Sequence, residues 1–371
     1  MSSNNINFST LLLRWIASID LVLIVALIIL ISLGTATLFS ASGENERMMN
    51  THTVHLILAT LVMLITSQLS SELLNRWSVW IYVFGVVVLV LVLVQGSMGK
   101  GAQRWIELGA LRFQPSEVMK LAVPMMVASY LSKKVLPPTF KDVFVASILV
   151  LVPMLLIVKQ PDLGTALLVG SAGFFVIYFA GLPWKWLAAT AVAGMIAAPL
   201  VFYFGMHEYQ RQRVLTLFNP DADRLGSGYH IIQSTIAIGS GGVYGKGWLN
   251  GDQSRLDFLP ERHTDFIFAV FGEEFGLLGN LILFALYTFI IWRGLYLATK
   301  GEDTFARLLG GSLSLTFFIY LLVNTGMVSG LLPVVGVPLP LISYGGTSLV
   351  TLMIAFGLLM GLRRRKKRYD Q

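Results

Sequence analysis

The chain has 371 residues, of which 55% are hydrophobic and only 13% are charged. Soluble domains carry about twice that charged fraction, so the composition excludes an ordinary soluble protein and indicates an integral membrane protein. The net charge of +7 does not indicate a nucleic-acid-binding protein, because much of it lies in a basic tail at residues 363–371. This tail follows an apolar segment directly, as in a cytoplasmic membrane anchor.

Residue usage also narrows the chemistry. The chain has no cysteine, which excludes disulfides and thiolate chemistry. Cysteine usage therefore does not indicate whether the protein faces an oxidising or a reducing compartment. Its five histidines are scattered and lack the paired spacing of a histidine zinc site.

The apolar segments predict an all-α polytopic membrane protein with about ten transmembrane helices, at about 20 residues per crossing. The first segment, residues 21–39, is too long for a typical signal-peptide core, and we interpret it as an uncleaved helix. The predicted spans lie near residues 18–40, 54–70, 78–96, 116–132, 143–159, 163–181, 186–205, 265–292, 306–328 and 341–362.

The distribution of Lys and Arg predicts the orientation of these helices. An even number of helices places both termini on one side of the membrane. One set of short connections contains Arg14, Arg76, Lys133, Lys134, Lys141, Lys185, Arg293, Lys300, Arg307 and the basic tail, and the opposite set contains Arg47, Lys100, Arg104, Arg112 and Lys159. The richer set, with both termini, is predicted to be cytoplasmic.

The longest connection, residues 207–264 between the seventh and eighth predicted helices, is then external. Loops of this length are usually functional or disordered. An apolar run at 231–238 and glycines at 239–242 favour an ordered segment that lies on the membrane. No internal repeat is evident, so we treat residues 1–371 as one transmembrane domain.

The most informative stretch, residues 256–276, reads LDFLPERHTDFIFAVFGEEFG. Several ionisable groups, among them Glu261, His263 and Asp265, lie where a long apolar segment begins. Such groups are costly there unless they face water or a polar ligand, so the stretch predicts the rim of an active site. The alternative is that Thr264 and Asp265 only cap a helix, and the local sequence leaves both open.

Three predicted helices that begin on the outer side each carry an acid at the start, namely Glu117, Asp162 and Asp265. An acid in the first turn is ordinary helix-start chemistry, so each acid alone means little. Helix N-termini gathered on one side of the membrane would bring together positive dipole ends and unpaired N–H groups. Such a place would suit a pyrophosphate.

Lys120 lies three residues after Glu117 on the same helical face. The two side chains form either a structural ion pair that neutralises a buried acid or a cationic contact for a phosphate-bearing substrate. Upstream, residues 100–105 read KGAQRW, and Lys100, Arg104 and Trp105 suit sugar and phosphate recognition. A tryptophan at this level is also typical of the aromatic belt of membrane proteins.

Two features remain near the end of the chain. Residues 333–348 read PVVGVPLPLISYGGTS and include Ser343; irregular backbone at membrane depth is tolerated only where protein or a wet cavity satisfies it, so this segment predicts a cavity wall. Glu273 and Glu274 follow Asp265 by about two turns. They form either the proton relay of a transporter or a polar pair satisfied by a neighbouring helix, and we favour the second interpretation.

These motifs resemble those of the SEDS family (shape, elongation, division and sporulation), and the match spans essentially the whole chain. Several long motifs in the same order make the resemblance specific, and the triplet at 261–263 is similar to the elongation type. The motifs are KGAQRW at 100–105, FQPSE at 113–117, KQPDLGTA at 159–166, YQRQRV at 209–214, GYHIIQS at 228–234, GSGG at 239–242, LPERHTDFIFA at 259–269 and GVPLPLISYGG at 336–346.

The resemblance implies a peptidoglycan glycosyltransferase of the bacterial inner membrane that joins lipid II units into glycan strands during cell elongation. It implies a class B penicillin-binding protein and other elongation-complex proteins as partners. It also implies that Asp265 is the essential acid/base residue, and that Glu117 and Lys120 line a central cavity with Asp162 nearby. A lipid II flippase and a noncatalytic scaffold are the alternative functions.

The implied reaction forms a β-1,4 bond from an α-linked undecaprenyl-pyrophosphate donor, which requires inversion at the anomeric carbon. One displacement then needs a base on the acceptor 4-hydroxyl, and we interpret Asp265 as that base. Lys120, Arg104 or Arg213 would stabilise the departing pyrophosphate, and Lys100, Glu261, His263 and Ser343 complete the predicted substrate site. The sequence requires no cofactor, although Mg²⁺ or Mn²⁺ held by an acid is an option.

Overall fold

The computed structural model describes residues 19–99, 102–108, 111–206, 208–223, 226–255, 258–259 and 261–363. Arg14, Lys100 and residues 364–371 of the basic tail lie outside these described residues. The described helices are α1 (Leu21–Ala41), α2 (Glu46–Thr66), α3 (Ser71–Gln95), α4 (Pro115–Leu131), α5 (Phe140–Lys159), α6 (Leu163–Phe179), α7 (Trp184–Leu200), α8 (Glu208–Phe218), α9 (Ser227–Ser240), α10 (Asp252–Arg255), α11 (Ile267–Thr299), α12 (Thr304–Val328) and α13 (Gly346–Gly361).

The polytopic α-helical class is confirmed. Six of the described helices are long and apolar enough to cross a membrane, namely α1, α2, α3, α5, α11 and α12, and α6, α7 and α13 are shorter apolar helices. Each of the predicted spans overlaps one of these helices or α4. The number of crossings, about ten, stays a prediction.

Polar caps explain why two helices begin earlier than hydropathy indicates. The second and third spans are predicted from residues 54 and 78, whereas α2 and α3 begin at Glu46 and Ser71. The Asn45 side chain accepts a hydrogen bond from the Met48 N–H at 3.1 Å, and Ser70 accepts one from Leu73 at 3.3 Å. Such side chains satisfy the free N–H groups of a first turn, so each helix extends into its polar flank.

A small antiparallel sheet between α3 and α4 was not predicted from the sequence. It consists of β1 (Ser97–Gly99), β2 (Ala102–Leu108) and β3 (Leu111–Phe113), in the order β1-β2-β3. Strand β2 contains Arg104, and the hairpin leads directly to Gln114 and the start of α4.

The helix α12 is central to the bundle. Buried residues make up 72% of its most apolar window, against 39% or less in the other long apolar helices. Its first half joins an apolar cluster with α4, α5 and α6 through Phe305, and its second half joins a cluster with α1, α2, α11 and α13 through Phe317.

Charged side chains join several helices at one end of the bundle, which we call the basic end. Asp20 precedes α1 and accepts hydrogen bonds from Arg293 of α11 at 2.7 and 3.0 Å, and from Arg363 after α13 at 3.3 Å. Ser71 of α3 donates to Asp303 at the start of α12 at 2.9 Å. These contacts hold chain segments that are far apart in sequence together at this end of the bundle.

Asp20→Asn is expected to lower the stability of the protein. Asparagine keeps the acceptor for the Leu23 N–H but removes the charge that faces Arg293 and Arg363. Hydrogen bonds to charged groups contribute about 1.5–3 kcal/mol each; partial solvent exposure of the two arginines reduces this, so we expect a loss of about 1–3 kcal/mol. Thermal unfolding in detergent at pH 7 measures it.

The same experiment has a pH dependence and a control. Burial raises the pKa of Asp20, but hydrogen bonds from Arg293 and Leu23 outweigh burial and lower the pKa below its usual value. The stabilisation is therefore complete above about pH 4 and disappears as the pH falls through the lowered pKa. Glu72→Gln, which removes the exposed pair with Arg76, should change stability by less than about 0.5 kcal/mol. Equal melting of Asp20→Asn and the unchanged protein at pH 7 would contradict the prediction.

Candidate active site

A tight turn at residues 261–266 precedes α11 and presents Asp265. The carbonyl of Glu261, which has a φ of 53°, accepts hydrogen bonds from the N–H groups of Thr264 at 3.0 Å and Phe266 at 3.3 Å. The Thr264 hydroxyl donates to the Glu261 carboxylate at 2.7 Å. Phe266 occupies the N-cap position of α11, with no side-chain cap, so the capping interpretation of Thr264 and Asp265 is wrong. The Glu261 carboxylate thus bonds within the turn, and contact of Glu261 with a substrate stays a prediction.

Three consecutive carbonyls of this turn are held by donors from elsewhere in the chain. The Tyr344 N–H donates to His263 O at 2.9 Å, the Ser343 hydroxyl to Thr264 O at 2.6 Å, and the Asn324 amide to Asp265 O at 2.8 Å. Buried carbonyls without such donors would be costly. The backbone that carries Asp265 is therefore fixed from both α12 and the connection before α13.

That connection, residues 331–345, is here called the Pro/Gly segment. It is irregular, and the same donors hold it. Asn324 also donates to Val337 O at 2.7 Å, and Ser343 Oγ accepts the Leu339 N–H at 2.7 Å. The bonds of Asn324 tie the segment to α12, whereas the bond between Leu339 and Ser343 lies within the segment. The cavity wall that the sequence predicts here stays a prediction.

The Asp265 side chain lies against this segment and is only partly buried. A Cβ on Gly336 would lie 3.4 Å from Asp265 Oδ2, and Gly336 has a φ of 73° that favours glycine. Backbone without a side chain at this position leaves room beside the carboxylate. A carboxylate with solvent access at the rim of a membrane protein can exchange protons.

The three predicted helix starts come together at this end of the bundle, which we call the site end. The Gln114 amide before α4 donates to Asp162 Oδ2 at 3.2 Å. A Cβ on Gly164 in the first turn of α6 would lie 2.8 Å from Val335 O in the Pro/Gly segment, which in turn contacts Asp265. The start of α4 therefore contacts the start of α6, and the starts of α6 and α11 both lie against the Pro/Gly segment.

Asp162 has a capping role at this place. Its Oδ1 accepts the Thr165 N–H at 3.1 Å, and its residue is only 4% exposed. Both carboxylate oxygens are thus engaged by Gln114 and Thr165. Direct contact of Asp162 with a substrate stays a prediction.

Arg213 and His230 bring the long loop to the site. Arg213 Nη1 on α8 donates to Val334 O in the Pro/Gly segment at 2.9 Å, and the His230 ring on α9 stacks on Phe266 at 5.3 Å. Burial lowers the pKa of His230, as does Arg213, while nearby Glu261 and Asp223 act in the opposite direction. His230 is therefore neutral at pH 7.

Glu117 and Lys120 form a buried ion pair, with Nζ 2.6 Å from Oε1 and relative exposures of 7% and 4%. Lys120 Nζ also lies 5.0 Å from the centre of the Tyr320 ring and lines a narrow cavity of about 30 Å³ beside α12 and α13. Glu117 Oε2 has no hydrogen-bond partner within the described residues. The ion-pair interpretation of this motif is therefore the one that the geometry favours.

The ion pair lies close to Asp265 along α12. Tyr320 contacts Lys120, and Asn324 contacts Asp265 O. Residues four apart on a helix are about 6 Å apart along the axis. One helical turn of α12 thus separates the level of the ion pair from the level of the carboxylate.

Glu273 and Glu274 are each bound by neighbouring elements through Oε1, while Oε2 of each has no hydrogen-bond partner within the described residues. Glu273 Oε1 accepts hydrogen bonds from Lys246 Nζ at 2.8 Å and from the Gln253 N–H at 3.1 Å, and Glu274 accepts one from the Ser40 hydroxyl. Both acids are buried. These contacts favour the structural interpretation.

Substrate contact of the remaining predicted residues stays a prediction. His263 packs edge-on to the Tyr344 ring at 6.3 Å, and Ser343 holds the turn as described. Arg104 lies in β2, and Lys100 lies outside the described residues. Within the part of the chain that the structure describes, no group of three or more ligating side chains fits a metal ion. Mg²⁺ or Mn²⁺ held by an acid stays a prediction.

Sequence reasoning missed two positioning residues, Asn324 and Tyr320, both inside α12. Asn324 is completely buried and Tyr320 is 2% exposed. A signal was available, because polar groups inside a membrane span are expensive and are kept where they serve a purpose.

The chain is similar to known proteins over most of its length. A family model described as "cell cycle protein" and named for FtsW, RodA and SpoVE matches residues 12–368. The peptidoglycan glycosyltransferase MrdB of Escherichia coli is 47% identical over 349 residues, which cover 94% of each chain. The chain belongs to the FtsW/RodA/SpoVE family. This family membership confirms the resemblance found in the sequence motifs.

Solved structures of similar proteins share the fold of this family member. The rod shape determining protein RodA of Thermus thermophilus is 29% identical, with a TM-score of 0.71 over 95% of this chain and 98% of that one. A chain from a peptidoglycan synthase complex is 33% identical, with a TM-score of 0.81 over 95% of this chain and 99% of that one.

Ser343→Ala is expected to destabilise the turn that carries Asp265. The change removes the donor to Thr264 O and the acceptor of the Leu339 N–H, which leaves two buried backbone groups unpaired at about 1–3 kcal/mol each. We expect a loss of about 2 kcal/mol in thermal unfolding in detergent.

The matched control is Thr288→Ala, which removes an exposed hydroxyl that donates only to Phe284 O of its own helix. It should leave stability unchanged within about 0.5 kcal/mol. Unfolding of Ser343→Ala at the temperature of the control would show that the Ser343 bridge does not hold the turn.

Proposed function

We propose that this chain is a peptidoglycan glycosyltransferase of the bacterial inner membrane that polymerises lipid II, with Asp265 as the general base. The named activity of its E. coli relative supports the reaction class. One observation supports the residue: a partly exposed carboxylate lies where three helix starts meet, on a backbone held by Tyr344, Ser343 and Asn324.

In the proposed step, the Asp265 carboxylate takes the proton from the 4-hydroxyl of the acceptor sugar. The hydroxyl oxygen attacks the anomeric carbon of the donor as the bond from that carbon to the pyrophosphate oxygen breaks. One bond forms, one breaks, and the pyrophosphate leaves with the electron pair. Attack opposite to the leaving group inverts the α-linkage into a β-linkage, and a positioned base of this kind contributes typically 10²–10⁴-fold.

The leaving pyrophosphate needs a cation, and Arg213 is the best placed of the candidates. Its guanidinium bonds to Val334 O, two residues before the Gly336 backbone that contacts Asp265. Planar guanidinium groups suit phosphate oxygens. Lys120 is buried and paired with Glu117, so its positive charge is already balanced, and it acts through the electrostatics of the cavity.

We further propose that the site end faces the periplasm and that both termini are cytoplasmic. The unequal distribution of Lys and Arg supports this orientation. The basic end, where Asp20 meets Arg293 and Arg363, would then lie at the cytoplasmic surface.

A class B penicillin-binding protein is the proposed partner within an elongation complex. The similar chain from a peptidoglycan synthase complex supports this proposal, since the work on that complex describes coordination of polymerization and crosslinking. Such a partner would crosslink the strands that this chain makes.

Asp265→Asn is expected to abolish polymerisation of fluorescent lipid II by the purified protein, with a decrease of at least about 100-fold. The amide keeps the size of the side chain but accepts no proton. Asp265→Glu should retain a measurable fraction, because it restores a base at a displaced position. Gel electrophoresis of the glycan product measures all three proteins.

Glu72→Gln is the matched control, because it also changes a carboxylate to an amide, but at an exposed position at the start of α3, where the side chain pairs with Arg76. It should make polymer within about threefold of the unchanged protein. Polymer from Asp265→Asn at the unchanged rate would refute the base. A lack of polymer from every protein, with lipid II crossing vesicles instead, would favour the flippase.

Single-cysteine labelling should reveal the orientation, since the chain has no cysteine of its own. Tyr244→Cys in the long loop and Val135→Cys between α4 and α5 replace side chains that are 82% and 88% exposed. In spheroplasts, a membrane-impermeant maleimide should label the first and spare the second until the membrane is permeabilised. The reverse pattern would place the site end in the cytoplasm.

A further inference from the structure

An open groove lies between the site-end halves of α1 and α2. One wall is a single face of α1 between Ile31 and Phe39, and the other contains Met49 of α2 and Trp248 of the long loop. Its volume is about 560 Å³, within the range of pockets that hold small ligands.

The groove exists because these two consecutive helices pack on different neighbours. Helix α1 packs on α11, whereas α2 packs on α13, and along their described lengths the two do not pack closely together. Small residues on the α1 wall, Ser32 and Ala36, keep the space open. The Thr35 hydroxyl donates to Ile31 O of its own helix at 2.8 Å, and the other polar side chain of this mostly apolar wall is the hydroxyl of Ser32.

The groove leads toward the turn that carries Asp265. Just beyond the Phe39 end of the groove, Arg262 Nε donates to Ala41 O, the last carbonyl of α1, at 2.7 Å. Arg262 is three residues from Asp265. Trp248 closes the side of the groove, with its indole N–H donating to Ala36 O at 3.0 Å and its ring 6.1 Å from that of Phe39. The apolar groove thus ends beside the Arg262 guanidinium and the turn at residues 261–266.

We propose that this α1–α2 groove binds the polyisoprenoid chain of a lipid-linked pyrophosphate, with the pyrophosphate at the level of Arg262. The inference rests on the proposed function, because that reaction uses such molecules. The wall from residue 31 to residue 39 is about 12 Å long, so it holds part of a long chain and leaves the rest in the bilayer. An apolar chain fits this mostly apolar wall, and the charged head fits the rim.

Photo-crosslinking tests the groove without relying on catalysis. A polyprenyl pyrophosphate with a benzophenone on its chain is added to the purified full chain in phosphatidylglycerol nanodiscs and irradiated. Mass spectrometry should place the adducts within residues 31–39, at Met49 or at Trp248. Unlabelled undecaprenyl pyrophosphate should compete at least tenfold better than added phosphatidylglycerol.

Two variants of α1 sharpen the test. Ala36→Trp fills the groove, while Val25→Trp adds the same side chain at a position that is 48% exposed and outside the groove. Adduct formation should fall at least fivefold in the first and stay unchanged in the second. With lipid II as substrate, Ala36→Trp should raise KM at least fivefold and change kcat less than twofold.

Each outcome decides the inference separately from the proposed function. Asp265→Asn should keep full crosslinking, which supports the groove whether or not this variant also loses polymerisation. Adducts spread over other helices, equal competition by phosphatidylglycerol, or unchanged crosslinking in a folded Ala36→Trp protein would overturn the groove, even if the chain polymerises lipid II.

Discussion

The site depends on hydrogen bonds to three consecutive carbonyls, those of residues 263, 264 and 265. A turn that interrupts helices near the membrane leaves backbone groups that lipid cannot satisfy. Here Tyr344, Ser343 and Asn324 satisfy them, and the two side chains among these donors also bind the Pro/Gly segment. The same bonds that make the irregular backbone tolerable therefore set the position of the Asp265 carboxylate, so stability and the geometry of the site share one cause.

Helix α12 links this turn to the buried ion pair. Tyr320 lies beside Lys120, and Asn324, one turn later, holds Asp265. A paired charge buried in a low dielectric is rigid, and removing either partner would leave the other uncompensated. The arrangement places a fixed, dry pair of charges, Glu117 and Lys120, behind a carboxylate that has solvent access. That contrast suits a site where one acid exchanges protons and its neighbours do not.

Hydropathy predicted the helices because each apolar span is long, and the order of the motifs identified the family. Other features lay beyond the sequence pattern. The strands β1 and β3 are three residues each, too short for a recognisable alternation. The shared level of Asp162, Gly164 and Val335 depends on tertiary packing of segments far apart in sequence. The role of Asn324 depends on its contact with the Asp265 carbonyl, and that of Tyr320 on its contact with Lys120. The sequence around each residue does not indicate these partners. The usual residue preferences at helix starts predicted that Thr264 or Asp265 caps α11. In the structure the Thr264 hydroxyl instead donates to the Glu261 carboxylate, and its carbonyl accepts from Ser343.

The central claim is that Asp265 removes the proton during bond formation. The single-turnover rate of joining two lipid II molecules, measured against pH, tests it most directly. The account predicts that the rate rises tenfold per pH unit on the acid side until the carboxylate is ionised, and that a folded Asp265→Asn protein is at least about 100-fold slower and lacks this rise. An Asp265→Asn protein with the same acid limb and the same rate would contradict the account, because another group, such as the neutral His230, would then take the proton.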